Sequence, residues 1–178
     1  MALSQQKIRS AVDDEALFNL LSEELQRVFP EEAQAETSRY RAALQSAPKG
    51  LRAMAGIHSL DVSMTMDDLA WHFGNHHDAF ELQETVDGLR FLEAEEAADL
   101  FNQAWEIMKP HLEEIRAGKC GEDFDEWLEQ KGLKAAVHQL GERLRALAAI
   151  SEDYGLMHYW LVFARKYPEA CVQEKNIN

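Results

Sequence analysis

Apolar residues recur along most of this chain at steps of three and four, the spacing that places side chains on one stripe of an α-helix. Leu17, Leu21, Leu25 and Val28 form the first stripe, closed by Pro30. Glu31 to Ser46 reads as a more polar helix, with Tyr40 and Leu44 inward and Pro48 beyond its end. Leu51, Met54, Ala55 and Ile57 mark a third stripe, interrupted by Gly56, a poor helix former. Thr65 followed three residues on by Asp68 has the spacing of a capping box, with Asp in place of the usual Glu. It predicts a helix carrying Leu69, Trp71 and Phe73 that stops at Gly74-Asn75.

The second half repeats the pattern. Leu82, Val86, Leu89 and Leu92 (or Phe91) form one stripe; Ala97, Leu100, Phe101, Ala104, Trp105 and Met108 form the next, with Pro110 at its end. Beyond Gly118 and Gly121, Phe124, Trp127 and Leu128 predict a short acidic helix, and Val137, Leu140, Leu144 and Leu147 a longer one. Ser151 then caps a last run with Met157, Trp160, Leu161 and Ala164 inward, stopped near Pro168. No segment alternates with period two among β-branched residues, so no sheet is expected. With no repeat, linker or low-complexity tract, residues 1–178 read as one all-α domain, a bundle of about seven to nine helices.

Charge changes this picture, because it is unevenly placed. The chain carries 18 Lys and Arg against 32 Asp and Glu, a net of −14. Residues 61–130 hold 19 acids and only 4 bases (Arg90, Lys109, Arg116 and Lys119), a net of −15, while the two flanks are close to neutral. Such a balance excludes gripping nucleic acid or anionic lipid through bulk electrostatics. Asp67, Asp68, Glu81, Glu84, Asp87, Glu93, Glu95, Glu96, Asp99, Glu106, Glu113 and Glu114 have two readings. They are the wet faces of amphipathic helices, or they form an anionic surface that binds a basic partner. The strip Lys131, Lys134, Arg143 and Arg145 reads as counter-charge on a helix, or as a face that meets the acidic region of a second copy in a homodimer.

Compartment follows from the rest of the composition. Cys120 and Cys171 lie far apart and outside any C-x-x-C pair, which places the chain in a reducing cytoplasm rather than among disulfide-stapled secreted folds. The polar first residues offer no signal-peptide core. The longest apolar run, Ala146 to Ile150, is far shorter than the ~20 residues a bilayer requires.

Candidate chemistry is sparse. His72, His76, His77 and Asp78 form the densest cluster. On an unbroken helix, imidazoles four apart reach one zinc or iron ion, and Asp78 or Glu81 adds a carboxylate. A stop at Gly74-Asn75 would separate the two histidines, and no Glu adjoins His72 as a metalloprotease base requires. Asp61 to Asp67 fails as a calcium loop, with Met66 where glycine belongs and His72 at the twelfth place. No nucleophile elbow, phosphate loop or dinucleotide fingerprint occurs. The chain therefore reads as a non-enzymatic protein-interaction module without a cofactor, with a metal-binding protein or metal-dependent hydrolase at the histidine cluster as the alternative.

Three stretches carry a resemblance: Met66-Asp67-Asp68-Leu69-Ala70-Trp71-His72-Phe73-Gly74-Asn75, Glu84-Thr85-Val86-Asp87-Gly88-Leu89-Arg90, and Glu95-Glu96-Ala97-Ala98-Asp99-Leu100-Phe101-Asn102-Gln103-Ala104. Over residues 60–110 the chain resembles an uncharacterised all-helical family that includes a bacterial DNA-mimic protein. The resemblance implies a compact, often dimeric helical protein whose surface carboxylates stand where DNA phosphates would. It implies no catalytic residue. Such a protein occupies a basic DNA-binding partner and keeps it from DNA.

Overall fold

The computed structural model describes residues 3–30, 37–121 and 123–173, and among them every regular element is helical. In chain order the α-helices are α1 (Gln5–Ser10), α2 (Asp14–Val28), α3 (Thr37–Ser46), α4 (Lys49–Met66), α5 (Leu69–Asn75), α6 (Ala79–Phe91), α7 (Glu95–Met108), α8 (Leu112–Arg116), α9 (Phe124–Lys131), α10 (Lys134–Ala148) and α11 (His158–Lys166). Short 3-10 turns cover Lys109–His111, Gly155–Met157 and Pro168–Cys171. The expected all-α bundle is therefore present. Among the described residues, eight helices of eight residues or more match the periodic stripes, α5 is the short helix expected to carry Leu69, Trp71 and Phe73, and α1 and α8 are short additions. The first part of the helix expected from Glu31 lies outside the described residues.

Aspartates start many of these helices, because a carboxylate accepts a bond from an N–H that has no partner inside the helix. Asp13 accepts from Ala16 N–H at 2.8 Å, Asp68 from Trp71 at 2.8 Å and Asp123 from Glu126 at 2.9 Å. The capping box anticipated at Thr65 is a misplacement. Thr65 lies inside α4, whose apolar stripe continues through Leu60 and Met64, and Asp68 is itself the cap of α5. Gly56 does not interrupt α4 either, since a close neighbour requires it.

That neighbour is α6. A Cβ on Gly56 would lie 2.6 Å from the Glu84 carbonyl oxygen, and one on Gly88 would lie 2.7 Å from the Ala53 carbonyl oxygen. Two backbones thus touch at two points. Contact between 56 and 84 and between 53 and 88 means that the helices run antiparallel. Thr85 Oγ1 donates to the Gly56 carbonyl at 2.7 Å and locks the pair in register. Around this centre, α5 packs on α4, α7 on α6, and α10 on both α5 and α7. Phe73 of α5 and Phe101 of α7 stack at 5.6 Å, both fully buried. At the other end of α4, buried Asp61 accepts the Leu156 N–H at 2.6 Å and anchors the 3-10 turn that precedes α11.

Candidate functional site

The acidic segment runs from the end of α4 into α9, and α7 shows how its carboxylates are presented. Ala97, Ala98, Leu100, Phe101, Ala104, Trp105 and Met108 are buried, which leaves Glu95, Glu96, Asp99 and Glu106 on the wet side. At 100° per residue those four fall within an arc of about 100°. Asp67, Asp87, Glu93 and Glu113 are also exposed.

Not every carboxylate in the segment faces water unopposed. Glu84 is buried and gripped by Arg52 through two bonds of 2.7 and 2.5 Å, so it leaves the surface set. Asp68 is half-buried and spent as a cap. Glu81 is half-buried; burial and then the charge of Asp78 raise its carboxyl above the usual range, against Arg41.

Local partners are few: Arg90 lies 3.7 Å from Asp99, Lys109 bonds Glu106 at 2.8 Å, and Arg116 pairs with Glu113. Further cations arrive from the near-neutral flanks. Lys166 and Tyr167 hold Glu93, Lys131 bonds Glu114 at 2.9 Å, Lys134 bonds Asp125 at 3.0 Å, and Arg41 bonds both oxygens of Asp78 at 2.9 Å. Arg145 donates to the Asp67 carbonyl and to Glu142. Of the basic strip, Lys131, Lys134 and Arg145 thus bond within the chain. Of the twelve candidate carboxylates, Asp67, Glu81, Asp87, Glu95 and Glu96 have no ion pair with a described Lys, Arg or His, and Asp87 bonds only the Gln83 amide.

The histidine cluster is brought together differently from a ligand set. α5 ends at Asn75, the expected stop, but His76 is its C-cap and its N–H donates to the His72 carbonyl at 2.7 Å, so the stop does not separate the two histidines. Their rings stack face on face, centroids 4.8 Å apart. Ser63 donates its hydroxyl proton to the Ser59 carbonyl at 2.8 Å, so at 2.9 Å it accepts from His72 Nδ1–H. His72 Nε2 is then a buried lone pair without a protein partner. Burial, with His76 second, pushes His72 down to about 3, which keeps it neutral. His76 is likewise held down by burial and then by His77.

Asp78 caps α6 and pairs with Arg41. Burial opposes its charge, but the Glu81 and Phe80 N–H groups and Arg41 hold the carboxyl below its ordinary range. Among the described residues no group of three or more His, Cys, Asp or Glu side chains is arranged to hold a metal ion.

Both cysteines are free, and burial pushes Cys171 up to about 12. No described helix is long and apolar enough to cross a membrane.

Neither a curated protein nor a solved structure shows significant similarity to the chain. A family model does: the DMP19-like protein family matches residues 45–165, from the end of α3 almost to the end of α11, and so contains the acidic segment, the α4–α6 contact and the core beneath them. On that match over most of its length, the chain belongs to the DMP19-like family.

Proposed function

We propose that the protein is a DNA mimic: it offers carboxylates to the DNA-binding surface of a basic protein and so keeps that protein off DNA. The observation that carries the reading is the wet face of α7. Glu95, Glu96, Asp99 and Glu106 spread over about 16 Å of helix. A single DNA strand places about five phosphates in the same length. Glu95 and Glu96 have no cationic partner among the described residues, so their charge is available to a docking surface. The membership of the DMP19-like family supports the same reading.

The test is capture from lysate at low salt on immobilised protein, followed by elution with duplex DNA. A basic DNA-binding protein should be retained and released by DNA, with retention falling steeply between about 50 and 200 mM salt. The variant Glu95→Gln, Glu96→Gln, Asp99→Asn removes only exposed charges and should fold but lose the partner. A partner that DNA fails to displace, or that the triple variant binds as well, defeats the reading.

A further inference from the structure

Apart from the exposed surface carboxylates, the half-buried Glu81 carboxylate has no hydrogen bond or ion pair among the described residues, and it lines a cavity. Helices α3, α4 and α6, with His76 at the end of α5, form an open cavity of about 280 Å³ lined by Tyr40, Ser59, His76, Glu81 and Glu84, among others. That volume lies just below the 300–1,000 Å³ typical of sites for drug-sized ligands, so it suits a single small head group.

The charges around the cavity can be assigned one by one. Glu84 is matched by Arg52 through two bonds. Arg41 sits near Glu81, but both oxygens of Asp78 bond it, and its guanidinium lies 4.7 Å over the Phe80 ring. His76 stacks on His72 and is held neutral by burial. Tyr40 is a neutral phenol, pushed up to about 12 by burial and then by Glu81 and Glu84. Of the two carboxylates that line the cavity, Glu81 alone has no bond or ion pair to any described residue. Among the described residues, the lining therefore carries one net negative charge, an aromatic ring, and a phenol and an imidazole with hydrogen-bonding capacity to spare.

We propose that this cavity is a binding site for one ammonium or guanidinium group, held by Glu81 against the face of Tyr40. Desolvated carboxylates and aromatic faces both favour a cation, and the pair is stronger than either alone. The occupant is the tip of a Lys or Arg side chain on the docked basic partner; this identification, but not the pocket, rests on the function proposed above. A half-buried carboxylate without a partner holds on to a proton, which is the direction in which Glu81 is displaced; a bound cation would reverse that displacement.

The experiment uses the full chain and two probes, methylguanidinium and methylammonium, at constant ionic strength with potassium chloride as control. Carboxyl and backbone resonances are followed by NMR as each probe is added. Saturable shifts should centre on Glu81, Tyr40 and Ser59, and the apparent pKa of Glu81 should fall in the presence of probe. The Glu81→Gln variant keeps the shape and loses no internal bond; it should bind about ten-fold more weakly or worse, the worth of one charge-assisted hydrogen bond. Preference for one probe tells whether arginine or lysine is the better fit. Shifts that spread evenly over exposed Glu95 and Asp99 without saturating at Glu81, or equal binding by Glu81→Gln, overturn the proposal. Because the probes are small cations, a negative result here is separate from a failure to capture a DNA-binding protein.

Discussion

Acidification should strip stability from this fold through one side chain. His72 is fully enclosed, donates from Nδ1 to Ser63, and is pressed between His76 and Phe101. In the unfolded chain its ring takes up a proton near pH 6.5; in the folded chain it does so only near 3. The folded value is the lower one, so between those limits the unfolded state binds one more proton. Stability then falls as pH falls, by about 1.4 kcal/mol per unit once the unfolded ring is fully protonated. Integrated from pH 7 to pH 5, the loss is about 2 kcal/mol, because the first half-unit contributes little. The comparison protein is His72→Gln, which fills a similar volume and carries no titrating group. It should be the less stable of the two at pH 7, since the aromatic contacts are gone, and the gap should close by about 2 kcal/mol at pH 5. Urea unfolding followed by circular dichroism at pH 7, 6 and 5 and fixed ionic strength measures both. His76 titrates in each protein and largely drops out of the difference. Profiles that stay parallel within about 0.5 kcal/mol, the scale of extrapolation error, would show that the ring is not neutral because of its burial.

Three further outcomes are expected. Gly88→Ala and Gly56→Ala should each lower the melting temperature at a cost of about 1–3 kcal/mol, because the new methyl meets backbone on the facing helix; helix propensity alone predicts a gain of about 1 kcal/mol, so the sign of the change decides whether the α4–α6 contact is as close as described. Asp61→Asn keeps an acceptor for the Leu156 N–H and should melt close to the parent, whereas Asp61→Ala leaves that donor buried and should cost about 1–3 kcal/mol by denaturant titration; equal losses would mean that the bond carries nothing. Arg52→Met strands buried Glu84 and should destabilise by about 2 kcal/mol, less than the 3–5 of a fully buried pair because Arg52 is partly wet; adding Glu84→Gln should recover part of that loss, and failure to recover any would place the cost in packing.

The helical architecture was open to reading because each core stripe is contributed by local spacing. The stripe Ala97, Leu100, Phe101, Ala104, Trp105 and Met108 reads as buried from the sequence and is buried in the structure. What local spacing does not encode is which residue faces which helix. Gly56 looks like a flaw in α4 until Glu84, 28 residues further on, is set against it. Thr65 and Asp68 share the spacing of a cap, yet only the tertiary position of α5 shows that the second of them is the cap. The acidic segment was legible as a sum, but Glu84 and Glu95 are indistinguishable in sequence, and only their neighbours decide that one is buried with Arg52 and the other is free. Several residues of the cavity stood out in the sequence, Tyr40 and Leu44 on an inward stripe and His76, Glu81 and Glu84 as candidates for other roles, but local spacing does not show that α3, α4 and α6 bring them together.

The cations that lean in from the flanks have a bearing on how a partner would feel this surface. DNA surrenders mobile ions when a protein binds, and their dispersal into solution drives much of the affinity. Here Lys166, Lys131, Lys134 and Arg41 are ions on covalent leashes, already seated on Glu93, Glu114, Asp125 and Asp78. Those sites have nothing to disperse. Binding should therefore weaken with salt more gently than a formal charge of −14 implies, tracking only carboxylates such as Asp67, Glu95 and Glu96 that mobile ions still attend. The slope of affinity against salt becomes a count of the phosphates that this surface truly imitates.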